Sequence, residues 1–113
     1  MSAKKLPPIR LSIKGLEWGF HLQNDRAYKK THGDDSAGII YPDDKEVYFN
    51  KSHLSLNYVI HELLHVYYAS CLTNSSNLEP DQVEDNCAEI LGEHYFEIGM
   101  NAQKIIDYFL NSH

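Results

Sequence analysis

Apolar and polar residues alternate with a period of two along Ile9-Arg10-Leu11-Ser12-Ile13 and again along Trp18-Gly19-Phe20-His21-Leu22. This is the pattern of strands that bury one face. Gly15 stands between the two runs and marks a turn. Residues 37–41 and 46–49 flank Pro42-Asp43-Asp44-Lys45, which predicts a β-hairpin over a Pro-initiated turn. The polar stretch 24–36, ending on His32-Gly33-Asp34-Asp35, predicts a loop with at most a helical turn at 26–29. Residues 1–8 read as a frayed start closed by Pro7-Pro8.

The period then lengthens. Placed at 100° steps from Leu54 to Leu72, one arc collects Leu54, Tyr58, His61, Glu62, His65, Tyr68, Ala69 and Leu72, while Leu56, Ile60, Leu63, Leu64, Tyr67 and Cys71 fill the other side. A helix apolar nearly all round predicts a central, buried element. A polar loop follows at 73–78, and Glu79-Pro80-Asp81 opens a second helix with acidic residues and a first-turn proline. That helix should run to about Ile98 and end near Gly99. A last amphipathic helix at 102–110, with Ile105, Ile106, Phe109 and Leu110 on one side, should pack as a lid. Together these elements predict an α+β fold: a small antiparallel β-sheet in the N-terminal half packed on two to three α-helices, in a single domain over 1–113.

Composition narrows the function classes. At 113 residues the chain can build one modest core without disulfide staples. A net charge of −6 disfavours non-specific attraction to nucleic acid or to an anionic membrane, so neither is expected as a partner. Cys71 and Cys87 lack the close pairing of a Cys-x-x-Cys motif and read as buried free thiols. The N-terminus has lysines but no apolar stretch behind them, and no run approaches about 18 apolar residues, so a soluble, cytoplasmic protein is expected.

The candidate chemistry lies in the first helix, at His61-Glu62-Leu63-Leu64-His65. Residues four apart share a helix face, so His61 and His65 can offer two imidazole nitrogens to one Zn2+ while Glu62 holds a water beside it. Two buried histidines and a buried carboxylate would need partners to offset desolvation, and a metal supplies them. Catalytic zinc takes three protein ligands. A histidine at position 71 and a glycine at 68 would complete a longer motif of this class, but Cys71 and Tyr68 stand there. On a wheel from Val83, one arc of the second helix collects Val83, Glu84, Cys87, Ala88, Ile90, Leu91, His94, Tyr95 and Ile98, with Asp85, Glu89, Glu93 and Glu97 opposite. Glu84 is the carboxylate in that arc and the leading third ligand. His94 is its rival, and the ten residues between them span about 15 Å of helix, too far for both to reach one ion readily. Tyr68, Tyr95 and His94 are candidates to stabilise an oxyanion.

The motif at 61–65, followed after a short loop by Gln82-Val83-Glu84-Asp85-Asn86-Cys87-Ala88, resembles the gluzincin arrangement, in which a Glu on the next helix completes a His-Glu-x-x-His site. With the strand-rich front half, the match over about 37–98 is similar to small phage-encoded metallopeptidases and to the protease domain of the ImmA/IrrE family. The resemblance implies a zincin-like (minigluzincin) architecture, zinc on His61, His65 and Glu84, and Glu62 as catalytic base. The chain departs from larger gluzincins in carrying Ala88 four residues after Glu84. The activity expected is hydrolysis of a peptide bond in a peptide or protein substrate, with the strand at 46–50 as the edge along which an extended substrate adds. The alternative is a catalytically weak or inactive zincin-like binding protein of a phage or mobile element that acts by gripping another protein.

Overall fold

In a computed structural model of the chain, residues 7–71 and 80–111 are described, with the side chains at 71, 80–84, 86 and 87 outside that description. The elements are β1 (Ile9–Ile13), β2 (Leu16–Gln23), α1 (Asp25–His32), β3 (Gly38–Tyr41), β4 (Glu46–Asn50), α2 (Leu56–Cys71) and α3 (Pro80–Asn111). The α+β class is as the sequence predicts. The loop read at 73–78, the frayed residues 1–6 and the thiols of Cys71 and Cys87 lie outside the described residues.

Both hairpins form where the turn residues place them. Lys14 and Gly15 have φ of 54° and 80° between Ile13 and Leu16, the left-handed pair that lets a two-residue turn follow the twist of its strands. β3 and β4 are antiparallel, closed by a backbone bond from Lys45 to the Pro42 carbonyl. The sheet differs from the expected antiparallel one: its order is β1-β2-β4-β3, and β4 runs parallel to β2. It is therefore mixed, and β4 at 46–50 is an interior strand rather than an edge; the edges are β1 and β3. β4 is paired with β2 on one side and β3 on the other, and it is also covered on both faces. Val47 and Phe49 enter the main core, while Tyr48 stacks on His21 on the other side, with ring centroids 4.3 Å apart.

The parallel pairing needs a crossover, and α1 supplies it. What the sequence reads as a loop is a full helix from Asp25 to His32. Asn24 caps its first turn by accepting from the Ala27 amide at 2.8 Å, and Gly33 ends it at φ 83°. Its polar composition hides it, since Tyr28 is its one fully buried residue.

The main core lies between the opposite face of the sheet and the two long helices. Ile13, Trp18, Phe20, Val47 and Phe49 meet Val59, Leu63, Val66 and Tyr67 of α2, and Ile98, Ile105 and Phe109 of α3. Burying each such side chain stabilises the fold by about 1.5–3 kcal/mol. Two buried polar bonds fix the layers: the Trp18 indole Nε1 donates to Ser70 Oγ at 3.0 Å, and Asn101 Nδ2 donates to the Tyr67 hydroxyl at 2.9 Å.

α3 is one helix of 32 residues, not two, and the residues at 102–110 are its tail, with Ile105 and Phe109 in the core rather than on a lid. Ile90, Ile98, Ala102, Ile105 and Phe109 keep one helical phase through Gly99, which does not adopt the left-handed conformation that would end a helix. Gly92 and Gly99 inside this helix each cost about 1 kcal/mol relative to alanine. No helix among the described residues is long and apolar enough to cross a membrane.

Candidate metal centre

α2 begins after Ser55, whose Oγ accepts from the Tyr58 amide at 3.3 Å, and its second and third turns carry the motif. His61 and His65 lie one turn apart on its outer side, with ring centroids 4.9 Å apart and planes at 76°. Both are exposed, His61 with 61% of its side chain accessible, which corrects the expectation of two buried histidines. The reason is geometric: α2 is covered by the sheet on one side and by α3 on another, and the histidine arc falls between them. Leu56 and Tyr58, also at that end, are about half exposed.

Glu62 is buried as expected, at 6% exposure. Its Oε2 lies 3.9 Å from His61 Nε2. Burial pushes the Glu62 carboxyl above the usual carboxylate range, and the positive charge that His61 and His65 can carry pulls the other way. The side chain rests against the edge strand at Gly38, where a Cβ would stand 3.0 Å from Glu62 Cγ and 3.2 Å from its Cδ and Oε2. Gly38 thus leaves the room that the carboxylate occupies. Nothing in the sequence marks this role, because the approach joins residues far apart in the chain.

On the other side of the histidines, α2 and α3 flank an open cavity of about 510 Å3 whose lining includes His61, Leu64, His65, Tyr68, Ala88, Ile90 and Leu91. Among the described residues that line it, those other than the two imidazoles and the Tyr68 ring are aliphatic. Glu84 lies in α3 one helical turn before Ala88 of this wall; its side chain is outside the described residues. His94 is placed elsewhere. Its ring packs against Tyr67, with centroids 5.5 Å apart, and its nitrogens lie 3.7 and 3.4 Å from Glu93 and Glu97. Tyr67 belongs to the core side of α2, so His94 is not beside the motif histidines. Among the described residues, no three His, Cys, Asp or Glu side chains converge as a metal site. Of the oxyanion candidates, Tyr68 lines the cavity, whereas Tyr95 is 60% exposed and does not.

A second polar cluster lies on the α1 face of the sheet. His32 Nδ1 is 2.6 Å from the Tyr41 hydroxyl and its Nε2 is 2.8 Å from Gln23 Oε1, and burial pushes its pKa below the usual histidine value. With both nitrogens engaged, His32 ties α1 to β2 and β3. Glu46 bridges His21 Nε2 at 3.1 Å and Arg10 at 3.4 Å. These contacts join elements and leave no free metal-binding nitrogen on His32.

No family model matches the chain, and neither the curated proteins nor the solved structures yield a match.

Proposed function

We propose that this protein is a zinc-dependent peptidase that acts on a peptide or protein substrate. The observation that carries the reading is the pair of exposed imidazoles of His61 and His65 beside the buried carboxylate of Glu62. Exposure suits a site that substrate must reach. The donor chemistry fits zinc, with His61 and His65 as two ligands and Glu84 on the facing helix as the third. A zinc ion held there would polarise the scissile carbonyl and acidify a water.

Glu62 accepts the proton of the attacking water and returns it to the leaving amine. Its burial raises its proton affinity, which suits a group that must take up a proton and release it within one turnover. β3 is one of the two sheet edges, and Gly38 on that edge lies against Glu62, so a substrate strand added along β3 passes beside the base. Tyr68, in the cavity wall, is the available donor for the oxyanion.

The test is elemental analysis of protein purified without a histidine tag or chelator, followed by Glu62→Gln. About one equivalent of zinc, lost in His61→Ala and His65→Ala but kept in Glu62→Gln, together with loss of hydrolysis in Glu62→Gln, is the expected result. Zinc well below half an equivalent overturns the reading. The exposed Tyr95 and Phe96 on α3 favour a second reading, a protein that works by binding another protein. Zinc uptake without hydrolysis of any peptide, and with function retained in Glu62→Gln, would select it.

A further inference from the structure

α1 carries the chain from β2 over to β3, and it is anchored by Tyr28, its one fully buried residue. The Tyr28 hydroxyl is 2.8 Å from Ser36 Oγ, and Ser36 Oγ donates to the Gly38 carbonyl at 3.4 Å. A serine hydroxyl has one proton, so with that proton on Gly38 the Tyr28 hydroxyl is the donor of the first pair. A directed chain of hydrogen bonds thus runs from the buried phenol through Ser36 to Gly38, the residue that rests against Glu62.

The segment between α1 and β3 is held at two further points. The Ser36 amide donates to Asp34 Oδ1 at 3.0 Å, and the Ala37 carbonyl accepts from the Asn50 amide at 2.9 Å. The second bond sets the phase of the ladder. Ala37 and Asn50 are a hydrogen-bonding pair, so Gly38 and Phe49, next in register, are not, and the Gly38 N–H and C=O point away from β4. What holds the Gly38 carbonyl is Ser36, on the unpaired side of β3. Burial raises the pKa of the Tyr28 phenol above its usual value; the Ser36 hydrogen bond works against this, while the charges of Asp34 and Glu62 add to it, so the phenol lies within electrostatic reach of the carboxylate.

We propose that Tyr28 is a positioning residue for Glu62: through Ser36 it fixes the Gly38 backbone against the carboxylate side chain. The proposal rests on the reading of Glu62 as the base that activates water. A hydrogen bond of 3.4 Å from an exposed serine is weak alone, and the phenol, itself 0% exposed, is what keeps the serine oxygen in place. Gly38 has no side chain with which to anchor itself, so its position depends on its backbone bonds. If Gly38 retreats, Glu62 gains room on the side where it is now confined.

Two substitutions break the chain of bonds at different links. Tyr28→Phe keeps the ring in its place and removes only the hydroxyl, whereas Ser36→Ala acts from the surface. In metal-free protein each is combined with Gly38→Ala, whose added methyl presses on Glu62 only while Gly38 is held there. The fall in melting temperature caused by Gly38→Ala should shrink by about half or more in either background, whereas residues that merely contribute stability would give additive shifts. In zinc-loaded protein, Tyr28→Phe should lower kcat by about 10-fold with KM and zinc content unchanged, because the base is displaced while metal and substrate contacts remain. Additive melting shifts overturn the proposal, and so does an unchanged kcat in Tyr28→Phe. A wild-type chain that binds no zinc or cleaves no peptide overturns the peptidase reading instead, and the metal-free melting shifts still decide whether Tyr28 positions Glu62.

Discussion

Gly38→Ala perturbs the position of Glu62 without touching a titratable group. Two opposing effects set its size. Gly38 lacks a positive φ, so alanine fits the backbone and should stabilise by about 0.4–1 kcal/mol by restricting the unfolded chain. Against this, the new methyl carbon would stand 3.0–3.2 Å from three atoms of Glu62, inside the optimum of about 3.5–4.0 Å. Glu62 is buried and cannot simply swing into solvent, so overpacking should cost about 1–3 kcal/mol. The net loss is about 1–2 kcal/mol, a fall in melting temperature of roughly 5 °C for a chain of this size. Displacing the carboxylate by roughly 1 Å should also lower kcat by about 100-fold. Thermal melts of metal-free protein measure the first effect and hydrolysis by zinc-loaded protein the second. The control is the same substitution in a Glu62→Ala background, where the clashing atoms are gone. There Gly38→Ala should be neutral or mildly stabilising, with a coupling of about 1 kcal/mol or more. An equal loss in both backgrounds would refute the packing argument.

Three further outcomes are expected. Because burial raises the folded pKa of Glu62, the folded protein holds its proton more tightly than the unfolded chain does; that stability is complete below the unfolded value of about 4.3 and lost as pH rises through the folded value. Metal-free Glu62→Gln should therefore melt above wild type at neutral pH, with the gap closing near pH 4, and a lower melting temperature at neutral pH would show that burial does not penalise the carboxylate. Glu84→Ala should weaken zinc binding by more than about 100-fold in chelator competition, whereas Glu89→Ala, at an exposed position, should leave it unchanged; a loss of only about 10–100-fold would place Glu84 behind a ligand rather than on the metal. Ser70→Ala removes the acceptor of the buried Trp18 indole N–H and should cost about 1–3 kcal/mol, read as a lower urea midpoint at constant slope; an unmoved midpoint would mean that the bond carries no stability.

Local patterns were sufficient wherever the cause was local. The alternation at Ile9–Ile13 and the Pro42–Lys45 turn specify strands and a hairpin because side-chain period and turn chemistry act over a few residues. The spacing of His61 and His65 specifies a shared helix face for the same reason. α1 was legible too, through the Asn24 cap, the basic last turn and Gly33, but its polar residues outweighed those signals.

Tertiary structure decided the rest, through neighbours the chain does not announce. β4 became an interior strand because α1 carries the chain over to pair it in parallel with β2, and a strand's own alternation does not say what lies beside it. His61 and His65 are exposed although a helical wheel groups them with apolar residues, since only the packed sheet and α3 determine which arc of α2 is covered. In the same way Leu91 and Tyr95 share an apolar arc with Ile90 and Ile98 yet are exposed, because at 100° per residue they stand at the rim of that arc, beyond the part of it that the neighbouring elements cover. Periodicity gives the direction of a side chain around its own axis. Burial depends on whether another element occupies that direction, and for Glu62 and Gly38 the answer comes from a strand more than twenty residues away in the chain.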